Sequence, residues 1–377
     1  MTSVWTRRLC HAAAAGVILL FLSSVARFYH PVTGFTVFIG LPEGHDYEVP
    51  ALRAMPHADG PLGYDGQFYA QLALEPLLRD PSIDRAMDLP PYRARRILFA
   101  WTAYLGGLGH PPWILEAYAL QNVVAWLLLA WLLCRWVPPS TPRHLALWTA
   151  CLWTHGLLMS VRLALLDGPS LLLIAAAVAL IERQRLLGAA GVLGIAALGR
   201  ETNLLAAVAM IRRPSDWSSW LKLGAAAALI VLPLLLWQDY LWSIYRSTSL
   251  TRQNHFVMPM TTFVDRWRDL VAEASVSGLW SRAGFGLCGI ASLTTQAIYL
   301  IWRRDLRSPW WRVAAAYAAM MFVLHSVVWD GFPGAVTRVL LPLTIGVNIL
   351  LAREPGPSFW AWFVAANLLV VPALTVF

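Results

Sequence analysis

The residues best suited to chemistry are a few carboxylates and arginines that lie beside or inside apolar stretches. Asp65 lies next to Tyr64 in the segment GYDGQFY, and the glycines on both sides of this pair permit a tight turn. From Gln67 onward, apolar residues recur at helical spacing, which predicts an amphipathic helix directly after Asp65. This carboxylate is therefore either the cap of that helix or a general base.

Three arginines follow in the segment YRARRIL, namely Arg93, Arg95 and Arg96. Guanidinium groups match the oxygens of a phosphate in geometry and charge, so these residues are candidates for binding a phosphate or pyrophosphate. Ordinary anchoring to the head groups of phospholipids is the alternative.

Four further charges interrupt apolar runs: Asp167 in SVRLALLDGPS, Arg200 and Glu201 in ALGRETNLL, and Arg338 in TRVLLPL. An ionisable group inside apolar surroundings costs free energy unless it is paired or functional. A structural ion pair between Asp167 and Arg162 is one alternative, and an arginine that anchors a helix at the membrane surface is another. The depth of these charges favours a functional role.

The elements that must position these residues are membrane-spanning helices. Of the 377 residues, 58% are hydrophobic and only 13% are charged, whereas soluble domains carry about 25% charged residues. Lipid must therefore cover much of the surface. The net charge of +8 comes from arginine clusters between apolar runs, the pattern of cytoplasmic loops. There is no basic stripe with interleaved aromatic residues, so nucleic acid is not an expected partner.

The arginine clusters also assign the loops to the two sides of the membrane. Arg7 and Arg8 place the N terminus in the cytoplasm, and the polar segment 29–111 then lies outside as the first outer loop. Within this loop, residues 96–109 are too few to cross and should lie along the outer interface. A second outer loop is expected over 242–281.

The fold class predicted from this threading is all-α: a polytopic membrane protein of about eleven transmembrane helices, some of them short, in a single transmembrane domain over 1–377. The spans are expected near residues 9–28, 112–134, 144–163, 167–182, 186–199, 201–211, 221–241, 282–302, 312–329, 338–352 and 357–376. Arg200 and Glu201 would form the apex of a hairpin of short helices, buried in protein or facing a wet cavity.

This layout resembles that of the GT-C glycosyltransferases, membrane enzymes that use polyprenyl-phosphate-linked sugars. The resemblance rests on the aspartate before an interfacial helix (63–78) and on the second interfacial segment (96–109). It also rests on the motifs SVRLALLDGPSLLL, ALGRETNLL and TRVLLPL. The paired acidic motif of many relatives is absent at Asp65, and the resemblance names a superfamily rather than one enzyme.

The resemblance implies transfer of a sugar, with inversion, from a polyprenyl-phosphate-linked donor to an acceptor at the outer face of the cytoplasmic membrane. Asp65 would be the base, and the substrate and its phosphate would be bound by Tyr64, Gln67, Arg93, Arg96, Asp167, Arg200, Glu201 and Arg338. The implied partners are the lipid-linked donor, membrane lipids, and a glycan, lipid or protein acceptor. A divalent metal is compatible with this chemistry but is not required, and no other cofactor is implied.

Two other classes of protein would also place charges at membrane depth. A secondary transporter would do so with broken helices, but it should show a repeat that relates its two halves, and the sequence shows none. A non-catalytic scaffold could keep the same fold without any reaction. Substitution of Asp65 separates the scaffold from the enzyme.

Overall fold

The computed structural model describes residues 4–44, 49–60, 63–211, 216–245, 256–331 and 334–377. Part of the predicted second outer loop, residues 246–255, lies outside these ranges. The twenty α-helices are α1 (Val4–Ala26), α2 (Pro50–Arg53), α3 (Gly66–Leu74), α4 (Ser82–Arg85), α5 (Pro90–Ala94), α6 (Leu98–Gly106), α7 (Pro111–Leu133), α8 (Pro142–Leu152), α9 (His155–Arg162), α10 (Asp167–Glu182), α11 (Leu186–Gly199), α12 (Trp217–Ile244), α13 (Thr261–Ser277), α14 (Arg282–Trp302), α15 (Pro309–Met321), α16 (Ser326–Trp329), α17 (Val336–Val339), α18 (Leu341–Leu351), α19 (Ser358–Ala366) and α20 (Val370–Ala373).

The other elements within the described residues are two 3₁₀ helices, Thr36–Phe38 and Glu201–Met210, and two strands of two residues each. The strands are β1 (Leu41–Pro42) and β2 (Asp59–Gly60), which pair in parallel within the first outer loop. Four of the described helices, α1, α7, α12 and α14, are long and apolar enough to cross a membrane. The prediction of an all-α, multi-pass membrane protein is confirmed.

Several predicted spans are divided into two helices. The predicted span 144–163 consists of α8 and α9, and the spans 312–329, 338–352 and 357–376 are divided in the same way. One cause is visible at Pro342, in the first turn of α18, because its ring would clash with the carbonyl of Arg338 in a continuous helix. The division separates Arg338, on the short helix α17, from the long helix that follows it.

The second 3₁₀ helix, Glu201–Met210, replaces the short α-helix predicted for 201–211. Ten residues are many for a 3₁₀ helix, which rarely exceeds four. The 3₁₀ form rises about 2.0 Å per residue against about 1.5 Å in an α-helix, so ten residues reach about 20 Å instead of about 15 Å. Two side chains of α15 bind its ends: Tyr317 donates to the carbonyl of Thr202 at 2.9 Å, and Arg312 donates to that of Ile211 at 2.6 Å.

The segment predicted to be the first outer loop, residues 29–111, is joined to the spanning helices by hydrogen bonds from side chains near the end of α12. Trp237 donates to the carbonyl of Ala94 at 2.8 Å, and the hydroxyl of Tyr240 donates to that of Leu77 at 2.6 Å. From α7, the carboxylate of Glu116 accepts from the backbone N–H of Phe35 at 2.8 Å. The small helices of the loop are therefore held in a fixed position above the spans.

A buried amide network joins α14, α18 and the C-terminal end of α19. The side-chain amides of Asn348 and Asn367 exchange two hydrogen bonds of 2.8 and 2.9 Å. Gln296 accepts from the hydroxyl of Thr344 at 3.1 Å and donates to the carbonyl of Ala366 at 2.7 Å. Such bonds replace the hydrophobic driving force that is missing between helices in lipid. They hold the helices behind the candidate site together.

Candidate functional site

Asp65 lies directly before α3, as the sequence predicted, but its side chain does not cap that helix. Its Oδ1 lies 3.0 Å from Nη2 of Arg93 instead. The position of Asp65 is set by Gly66, where an added Cβ would lie 2.5 Å from the carbonyl oxygen of Leu163 and 2.6 Å from that of Ile39. The chain can pass between these two backbone oxygens only without a side chain.

Replacing Gly66 by alanine is expected to destabilise the folded protein by about 3 kcal/mol. The carbonyl oxygens of Leu163 and Ile39 could make room for the new Cβ only if the backbone around each of them also moved. The thermal unfolding temperature and the yield of monodisperse protein in detergent would measure the effect. Gly224→Ala in α12 is the matched control, since a Cβ there meets no atom within 4 Å. Equal stability of the two variants would contradict the packing described here.

Arg93 is bound by two carboxylates. Asp88 accepts from its Nε at 2.9 Å and from its Nη2 at 2.8 Å, and Asp65 shares Nη2. The guanidinium also lies 4.5 Å from the ring centroid of Phe68. Burial raises the pKa of Asp88, but its hydrogen bonds and the charge of Arg93 outweigh burial and hold that pKa below its usual range. Asp88 is therefore a stable anion that orients Arg93.

Asp167 connects two arginines that are distant in sequence. The residue is 5% exposed; its Oδ1 pairs with Nη1 of Arg200, and its Oδ2 lies 3.3 Å from Nη1 of Arg338. Arg338 also donates from Nη2 to the hydroxyl of Tyr64 at 3.0 Å. Asp167, Arg200 and Arg338 thus form a second cluster beside that of Asp65, Asp88 and Arg93, and Tyr64, the neighbour of Asp65 in the chain, contacts it directly.

Side chains from α7 and α9 hold Asp167 in place at the start of α10. The hydroxyl of Ser160 accepts from the backbone N–H of Gly168 at 2.8 Å and donates to Asn122 Oδ1 at 2.9 Å. Asn122 in turn donates to the carbonyl of Leu165 at 2.8 Å. These buried bonds satisfy the backbone of the turn between α9 and α10, so the turn can lie inside the protein.

Glu201 forms a third cluster with the arginines that follow α5. Its Oε2 lies 3.1 Å from Nε of Arg96, and its Oε1 lies 3.7 Å from Nε of Arg95. Nη1 of Arg96 donates to the hydroxyl of Tyr69 on α3 at 3.4 Å, and its guanidinium lies 4.6 Å from the ring centroid of Tyr92. The first 3₁₀ turn after Arg200 is thereby tied to the first outer loop.

The three clusters lie next to one another because residues that are consecutive in the chain belong to different clusters. Asp65 follows Tyr64, Glu201 follows Arg200, and Arg93 lies in the same short segment as Arg95 and Arg96. Two carboxylates, Asp167 and Glu201, face four arginines, whereas two other carboxylates face Arg93 alone. The site therefore has two halves. The positive half consists of Asp167 and Glu201 with the four arginines Arg95, Arg96, Arg200 and Arg338. The negative half consists of Asp65 and Asp88 with Arg93.

Eight of the nine residues predicted for the site have a described role in this arrangement: Tyr64, Asp65, Arg93, Arg96, Asp167, Arg200, Glu201 and Arg338. The ninth, Gln67, is 8% exposed in the first turn of α3 and packs beside Gly63, where an added Cβ would lie 2.5 Å from its Nε2. Their catalytic and binding roles stay predictions.

Asp88 is the residue that sequence analysis missed. Its only local signal is its place shortly before Pro90 and Pro91, which start a helix, and an aspartate there is typical of a cap or turn. Its partner Arg93 is five residues away.

The described ranges contain no group of three or more His, Cys, Asp or Glu side chains that could hold a metal ion.

No protein-family model matches the chain, and no curated protein sequence matches it. Among solved structures, the chain is similar to ArnT from Cupriavidus metallidurans in the apo state, at 17% identity and a TM-score of 0.48. It is similar also to ArnT from the same organism bound to undecaprenyl phosphate, at 14% identity and a TM-score of 0.49. Each alignment covers 93% of this chain and 62% of the other, so the chain spans less than two thirds of these proteins' length.

Proposed function

We propose that this protein is a membrane glycosyltransferase of the GT-C type, which transfers a sugar from a polyprenyl-phosphate-linked donor to an acceptor at the outer face of the cytoplasmic membrane. The observation that supports this function is the junction of the two halves of the site. Tyr64 binds Arg338 at 3.0 Å in the positive half, and the next residue, Asp65, pairs with Arg93 in the negative half.

The charge of the positive half suits the change in charge of the leaving group. A polyprenyl-phosphate-linked sugar is a phosphodiester with one negative charge, and the phosphate that leaves is a monoester with up to two. Four arginines facing Asp167 and Glu201 leave an excess of two positive charges. Such a site binds the departing phosphate more strongly than the donor, and this difference lowers the barrier of the transfer step.

The negative half suits the activation of an acceptor hydroxyl. The side chain of Asp65 is 43% exposed, so an acceptor can reach it from outside. In the proposed step Asp65 takes the hydroxyl proton, the acceptor oxygen forms a bond to the anomeric carbon, and the bond from that carbon to the phosphate oxygen breaks. The electron pair leaves with the polyprenyl phosphate, and the configuration of the sugar is inverted.

Arg93 and Asp88 position the base in this proposal. Arg93 is 8% exposed, and both carboxylates hold it in one orientation against Phe68. Because Asp88 takes two of its N–H donors, Arg93 neutralises Asp65 less than an arginine with a single partner would. The carboxylate of Asp65 is therefore less strongly occupied by its ion pair and can form a hydrogen bond with an acceptor hydroxyl.

Binding of undecaprenyl phosphate, the ligand of one of the two ArnT structures, tests the positive half directly. Arg338→Gln is expected to weaken its binding by about 10- to 100-fold, because one charge-assisted hydrogen bond contributes about 1.5–3 kcal/mol. Microscale thermophoresis in detergent would measure the dissociation constant.

Arg353→Gln is the matched control for this measurement. Arg353 lies just after the end of α18, and its side chain is 57% exposed and pairs with Asp305. It should bind undecaprenyl phosphate as the unaltered protein does. An equal loss of affinity in both variants would mean that binding of undecaprenyl phosphate depends only on the net charge of the protein. The proposed binding site would then be wrong.

A further inference from the structure

A small cavity lies beside Asp167, among α10, the second 3₁₀ helix, α15 and α18. Its volume is about 10 Å³, which is close to the space that a single water-sized particle needs. A phosphate group is too large for it. The polar part of its wall is formed by Asp167, Ser170, Arg200, Thr202, Asn203, Tyr317 and Arg338.

Two polar atoms on this wall are buried and have no hydrogen-bond partner among the described residues, Nε of Arg200 and Oγ of Ser170. Ser170 is 3% exposed, so bulk water does not reach it. Buried polar groups are nearly always satisfied, and each exception requires a cause such as a bound ion or water. The Nε–H of a guanidinium can only donate, so whatever binds there must accept hydrogen bonds.

The charge around the cavity favours an anion over a water molecule. Asp167 is one carboxylate facing two guanidinium groups, Arg200 and Arg338. The excess positive charge lies in a buried region, where an uncompensated charge is far more costly than in water. A monovalent anion removes this excess and accepts both free hydrogen bonds.

We propose that this cavity binds one chloride ion, held by the Nε–H of Arg200 and the hydroxyl of Ser170. The ion neutralises the arginine pair around Asp167 and keeps both guanidinium groups in place. The site shares Arg200 and Arg338 with the proposed phosphate site, but it differs from that site in size and in the class of its ligand. With the ion bound, one of the two excess positive charges of the four arginines remains for the departing phosphate.

Thermal unfolding in detergent at constant ionic strength tests the site, with sodium chloride compared against sodium gluconate, whose anion is too large to enter. Chloride is expected to raise the unfolding temperature by at least about 2 °C, in a saturable manner. Ser170→Ala should lose this difference. Ser82→Ala is the matched control, because Ser82 in α4 is another buried serine and does not line this cavity, and it should keep the difference.

Crystals grown in sodium bromide give a second test that needs no variant. The expected result is an anomalous peak within hydrogen-bond distance of Arg200 Nε and Ser170 Oγ. Equal unfolding temperatures in the two salts, or bromide crystals without a peak in this cavity, would overturn the proposal.

Discussion

Asp65→Asn is expected to reduce sugar transfer by about 10³-fold, because the amide cannot accept the proton of the acceptor hydroxyl. Folding should be unaffected, since asparagine has the same shape and the side chain of Asp65 is 43% exposed. Cells that carry the variant in place of the natural chain should accumulate the lipid-linked sugar donor. Mass spectrometry of extracted lipids, together with analysis of the surface glycans, would measure this accumulation.

Asp59→Asn provides the matched control for that variant. Asp59 is an aspartate of the same outer loop, its side chain is 42% exposed, and it also forms one ion pair, with His57 at 3.1 Å. Lipid-linked donor should not accumulate in cells that carry it. If the Asp65 variant behaved like this control, a non-catalytic scaffold would explain the protein better than an enzyme does.

Asp167→Asn is expected to destabilise the protein by about 3–5 kcal/mol, because it leaves two buried guanidinium groups without their carboxylate. Asp167 is 5% exposed, and it pairs with both Arg200 and Arg338. Unfolding by dodecyl sulfate in mixed micelles would measure the free energy of unfolding. The variant should also bind undecaprenyl phosphate less tightly, since the two arginines lose their fixed positions.

The control for this variant is Asp305→Asn, which breaks an exposed ion pair with Arg353 of 3.2 Å. Exposed pairs contribute about 0–1 kcal/mol, because water and salt screen both charges. A change of that size in the Asp167 variant as well would show that its carboxylate does not hold the two arginines together.

The features of the site that depend on nearby residues were predicted correctly from the sequence. The glycines around Tyr64 and Asp65, followed by helical apolar spacing, predicted a helix after Asp65, and α3 begins at Gly66. The charges of Asp167 and Arg200 inside apolar runs indicated partners, because lone charges are too costly there. Composition predicted a membrane protein, and the apolar runs between the arginine clusters predicted the all-α fold.

The identity of the partners could not be predicted, because it depends on contacts between distant parts of the chain. Arg162 is five residues from Asp167 and was the nearest candidate. In the structure, however, its guanidinium lies 4.3 Å from the ring centroid of Phe28. Asp167 pairs instead with Arg200 and Arg338, which are 33 and 171 residues away. Patterns of hydrophobicity carry no information about such pairs.

The ten-residue 3₁₀ helix after Arg200 has a mechanical consequence for the candidate site. It makes about 3.3 turns, whereas the same residues in α-helical form would make about 2.8 turns and end about 5 Å sooner. Tyr317 and Arg312, both on α15, bind its two ends, so both ends of this segment are attached to the same helix. This 3₁₀ helix begins directly after Arg200, so its position determines where Arg200 and Glu201 lie. Arg200 and Glu201, which pair with Asp167 and Arg96, therefore stand at the end of a segment that α15 holds in its extended form.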